Sequence, residues 1–65
     1  MRGSKKKAMF KTRIRQTRGI ETYRVWGDFK GLTDEEIAHK IDPWNFGYNV
    51  TSRYADELII DIYID

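Results

Sequence analysis

The residues that could do chemistry are few. The chain has one histidine and no cysteine. His39 follows Glu36 by three positions and Glu35 by four, so one helix face can offer a carboxylate–imidazole pair. Two ligands on an exposed helix make an incomplete metal site, and no third is identifiable from the sequence. An ordinary i,i+3 or i,i+4 polar contact accounts for the spacing equally well. No P-loop, dinucleotide fingerprint or nucleophile elbow is present. The carboxylates are spread along the chain and include candidate cap and turn residues. No pair set for acid/base work stands out. The expectation is a protein that is not an enzyme and uses no metal or cofactor.

Binding chemistry is better represented. Lys11, Arg13 and Arg15 alternate with Phe10, Thr12 and Ile14, and Arg24 precedes Trp26 by two positions. Guanidinium and ammonium groups neutralise phosphates, while exposed rings stack on unpaired bases. Lys11, Arg13, Arg15, Arg18, Arg24, Trp26, Arg53 and Tyr63 are therefore the candidate nucleic-acid contacts, DNA or RNA. With about five phosphates neutralised on a duplex, log affinity would fall against log salt with a slope of about −4 to −5. A second constellation is the segment Trp44-Asn45-Phe46-Gly47-Tyr48. Aromatic anchors dominate protein interfaces. Trp44, Phe46 and Tyr48, with Asp56 and Glu57 on an acidic strand edge that continues to Asp61 and Asp65, form the alternative, a protein-binding surface. The simpler expectation for Trp44 and Phe46 is that they fold back to plug a small core. Self-association to a homodimer through an exposed sheet edge is a variant of this alternative.

Charge is segregated along the chain. The first eighteen residues carry eight positive side chains and no acid, whereas residues 19–65 carry four positives and ten acids, for a net charge of +2. Met1-Arg2-Gly3-Ser4 resembles the leader that expression vectors add. Positions 1–8 are accordingly set apart as a basic flexible leader and 9–65 as a single domain. The positives of Lys11, Arg13 and Arg15 have a plainer reading too, as guards of an edge strand or as partners of acids on a neighbouring strand.

The elements that would position these residues follow from periodicity. Met9 to Gln16 alternates with a period of two, which predicts a strand with one wet face. Thr17-Arg18-Gly19 signals a turn, and Ile20 to Trp26 predicts a second strand paired back as a hairpin. Leu32-Thr33-Asp34-Glu35-Glu36-Ile37 is a capping box with a hydrophobic staple around it. The helix it starts should end near Ile41, because Pro43 disfavours helical geometry at Asp42. Tyr48 to Tyr54 and Leu58 to Ile64 predict two further strands, the last with aliphatic side chains at every even position. The fold class is α+β, a ββαββ domain with an antiparallel sheet and one short helix packed on one face.

In that arrangement the helix should cover Phe10, Ile14, Tyr23, Val25, Val50, Leu58, Ile60 and Ile62. The opposite face should gather Lys11, Arg13, Arg15, Arg24, Trp26, Asn49, Thr51, Arg53 and Tyr63. Nine aromatics supply burial in a chain without disulfides. The longest aliphatic run, Leu58-Ile59-Ile60, is far too short to span a membrane. With no secretory signal evident, the sequon Asn49-Val50-Thr51 reads as chance and the expected location is cytoplasmic. The leading expectation is a small nucleic-acid-binding or regulatory module, with a protein-interaction module such as an inhibitor or adaptor as the alternative. The pattern does not map onto the aromatic signature of RNA-recognition sheets.

Overall fold

The computed structural model describes residues 8–65, so most of the basic leader expected over positions 1–8 lies outside the described residues. Four strands and one helix follow in the order ββαββ: β1 Met9–Thr17, β2 Ile20–Gly27, α1 Asp34–Ile41, β3 Gly47–Arg53 and β4 Glu57–Tyr63. All pairings are antiparallel and the spatial order is β1-β2-β4-β3. Both hairpins are therefore formed by sequence neighbours. The α1 crossover lets β4 insert between β2 and β3, leaving β1 and β3 as the two edges.

The capping box forms as the sequence implies. The Thr33 hydroxyl accepts the Glu36 N–H at 3.1 Å, and a Glu36 carboxylate oxygen accepts the Thr33 N–H at 2.8 Å. Asp34, Glu35 and Glu36 fill the first turn, where the helix dipole favours negative charge. The helix stops at Asp42, whose extended backbone precedes Pro43. Its N–H still donates to the Ala38 carbonyl at 2.8 Å.

Ile37 and Ala38 of α1 pack on Val25, Leu58, Ile60 and Ile62, all fully buried. These lie at odd positions of β2 and even positions of β4, one face of the sheet by strand alternation. Phe29, in the loop after β2, is also buried in this core. It supplies the aromatic plug that the sequence reading gave to Trp44 and Phe46. Those two are instead 85% and 76% exposed. The helix packs toward the β3 side of the sheet, so every β1 side chain after Met9 is exposed.

Candidate functional site

The strand registers redistribute the cations that alternation had gathered on one face. Residues directly opposite in an antiparallel pair point to the same side. Lys11 stands opposite Val25 and Arg13 opposite Tyr23, so both lie on the helix side. Phe10 and Thr12 stand opposite Trp26 and Arg24, on the open side. Arg15 returns to the open side because the register shifts between Arg13 and Arg15, a β-bulge around Ile14. A second shift, between Val50 and Ser52, inverts the end of β3. Asn49 is on the open face opposite Asp61, but Arg53 lies opposite Leu58 on the helix side. There it pairs with Asp34 in the first turn of α1. The expected cluster is thus divided, with Lys11, Arg13 and Arg53 on one side and Arg15 and Arg24 on the other. Arg18 sits exposed in the β1–β2 turn.

The open face is internally paired. Arg24 donates to the Glu57 carboxylate at 2.8 Å and lies 5.2 Å from the Trp26 ring centroid. Trp26 in turn stacks on Phe10, with ring centroids 6.0 Å apart and planes inclined by 24°. Thr22 donates to Asp61 at 2.7 Å. Trp26 is half-buried, and its indole has both the Arg24 guanidinium and the Phe10 ring as neighbours. Tyr63 is half-buried against Gly47: a Cβ on that glycine would stand 2.9 Å from the tyrosine ring. The rings expected to stack on bases are therefore engaged within the fold.

The acidic strand edge is corrected likewise. Glu57 and Asp61 belong to β4, which lies between β2 and β3 and is not an edge. Asp56 is exposed in the turn before β4. On the helix side, Arg13 donates to Glu21 at 2.9 Å, and the Tyr23 hydroxyl donates to the same carboxylate at 2.8 Å. Burial, followed by this bond to Glu21, raises the Tyr23 pKa above its usual 10.0.

The loop between α1 and β3 has the clearest construction. The Asp42 carboxylate accepts the Trp44 N–H at 2.9 Å, an Asx turn. The Asp42 carbonyl accepts the Asn45 backbone N–H at 3.1 Å and its side-chain amide at 2.8 Å. The Phe46 N–H donates to the Tyr63 carbonyl at 2.7 Å. These bonds hold the backbone of a loop whose two largest side chains point into solvent. Beside it, Leu32, Glu35, His39, Pro43, Phe46 and Tyr48 line an open groove of about 680 Å³ between α1 and β3. His39 and Glu35 are thus neighbours of the aromatic loop. Among the described residues, no group of three or more His, Cys, Asp or Glu side chains is arranged to hold a metal.

Sequence reasoning overlooked a third feature. Lys30 and Lys40 join Lys11 along a groove floored by Met9 and Leu32, with Asp28 as its carboxylate. Its members come from β1, the β2–α1 loop and α1, so no local spacing announces them. No helix among the described residues is long and apolar enough to cross a membrane. Comparison of the chain with family models, curated proteins and solved structures gives no match in any of the three.

Proposed function

We propose that this chain is a small protein-interaction module, acting by binding rather than catalysis, with the Trp44–Tyr48 loop as its contact surface. The observation that carries the reading is the exposure of Trp44 and Phe46, 85% and 76%, on a backbone pinned by Asp42 and Tyr63. Large apolar side chains held out in water by local hydrogen bonds lower the ordering cost of association. Trp and Tyr are enriched among the residues that dominate interface energies. Asp42, Glu35 and Glu36 outnumber Lys40 around the same loop and groove, and that excess of negative charge opposes a phosphate backbone. The partner is accordingly a folded protein that offers an apolar pocket for Trp44.

The test is a comparative capture followed by reconstitution. Immobilised wild type, Trp44→Ala and a Lys11→Ala/Arg15→Ala double variant are exposed to extract with and without nuclease treatment. The protein retained by wild type and the double variant, and lost by Trp44→Ala, is purified and titrated calorimetrically. A stoichiometric complex weakened by about 30-fold or more in Trp44→Ala, in the range of an interface hot spot, supports the reading. Retention abolished by nuclease, or equal retention by Trp44→Ala, overturns it.

A further inference from the structure

We infer that the β1 edge is a docking strand for an extended acidic segment of a partner protein, independent of the aromatic loop. The hydrogen-bond phase of the sheet fixes which β1 groups face away from β2. The Asp28 N–H donates to the Ala8 carbonyl at 2.8 Å, which makes residues 8 and 28 a bonded pair. Bonded and non-bonded pairs alternate along an antiparallel ladder. Phe10/Trp26 and Thr12/Arg24 are therefore the next bonded pairs. The far side of β2 agrees: the Ile64 N–H donates to the Gly19 carbonyl, which directs the odd residues of β2 to β4 and its even ones to β1. The N–H and C=O groups of Met9, Lys11 and Arg13 consequently point outward from the sheet edge.

The side chains at those outward positions select the sign of the guest. Lys11 and Arg13 lie on the helix side, and Lys11 shares its groove with Lys30 and Lys40. Among the described residues none of these three lysines takes part in an ion pair, whereas Arg13, Arg24 and Arg53 each do. A second copy pairing along β1 would bring Lys11, Arg13 and Arg15 against their equivalents, and like charges across a strand pair are destabilising. Cations and a bulge guard the edge against neutral or basic strands. A strand with carboxylates at alternate positions meets the opposite condition. Its acids fall beside Lys11 and Arg13, toward the lysine groove. Its intervening side chains fall on the open face beside Phe10, which is 52% exposed. The guest pattern is therefore acid and aliphatic in strict alternation, recognised by strand addition.

The test uses a ten-residue peptide of alternating Glu and Ile with capped ends, followed by amide hydrogen exchange in the whole chain. The amides of Met9, Lys11 and Arg13 should exchange readily in the free protein and become protected with the peptide, while Phe10 and Thr12 are protected throughout. Lys11→Glu should weaken binding about tenfold or more, with an unchanged unfolding midpoint showing that the fold persists. Trp44→Ala should bind the peptide as wild type does, which separates this site from the aromatic loop. Binding without protection of the three outward amides overturns the proposal. So does a block-arranged peptide of the same composition binding equally well. Protection of those amides by an oligonucleotide but not by the peptide, or by concentration-dependent self-association alone, also overturns it.

Discussion

At the residue scale, the aromatics divide by what holds them. Phe29 is 3% exposed within the core, while Trp44 is 85% exposed. Removing a buried phenylalanine costs about 3–5 kcal/mol, and a domain of this size rarely has more than about 3–5 kcal/mol in total. Phe29→Ala should therefore abolish cooperative urea unfolding, whereas Trp44→Ala should leave the midpoint nearly unchanged. Retention of a wild-type transition by Phe29→Ala would show that the loop aromatic does not hold the core. Tyr23 adds a pH dependence. Its pKa is raised in the fold, above 10.0, by burial and by its bond to Glu21. The unfolded chain thus releases this proton first as pH rises. The associated stability is complete below pH 10 and declines as pH climbs through the raised value. Tyr23→Phe should flatten that alkaline decline in denaturant titrations repeated at increasing pH.

At the element scale, the helix depends on its first turn. An isolated eight-residue helix is too short to persist in water on propensity alone. Thr33→Ala removes the hydroxyl that accepts the Glu36 N–H, while the backbone N–H at 33 can still donate to Glu36, and should destabilise the domain by about 1 kcal/mol. Arg53→Ala breaks a pair in which both side chains are about half exposed, so its cost should stay below about 1 kcal/mol. Chemical denaturation of the two variants tests that order. The same elements show what the sequence could and could not disclose. The capping box, the strand spans and the apolar alternation of β4 were readable because each is a local pattern. The faces of β1 and β3 were not: a bulge at Thr51 carries Arg53 to the helix side, and a bulge at Ile14 separates Arg15 from Lys11 and Arg13. The inward face of β1 was also misleading. With the helix displaced toward β3, no packing forces apolar residues to that side of β1. Phe10 finds its apolar neighbour, Trp26, on the other. The exposed aromatic loop was legible as a cluster, but its outward direction depends on the Asx turn at Asp42 and on the Tyr63 carbonyl. The lysine groove depends on three separate elements, a juxtaposition that only the tertiary structure reveals.

At the scale of the whole molecule, the strand order separates the two proposed contacts. The aromatic loop leads into β3 at one edge, and the acidic-strand site is β1 at the other, with β2 and β4 between them. Three inter-strand steps of about 4.8 Å put roughly 14 Å between the edges. The loop and the β1 edge have no residue in common, although Leu32 and Lys40 line both adjoining grooves; contacts so separated behave additively, within about 0.3–0.5 kcal/mol. Lys11→Glu should therefore leave the affinity for the loop's partner unchanged, and saturation of β1 with the alternating peptide should not displace that partner. A ternary complex in sedimentation, with binding free energies that sum, is the expected result. Competition between the two ligands would mean that they share one surface, and the two-edge arrangement would then be untenable. Additivity would make the domain a bridge: the antiparallel core fixes the spacing of two contacts whose chemistries differ, one apolar and aromatic, the other cationic and backbone-mediated. That division follows from the fold itself, because inserting β4 between β2 and β3 sends the neutral aromatic loop and the basic first strand to opposite edges.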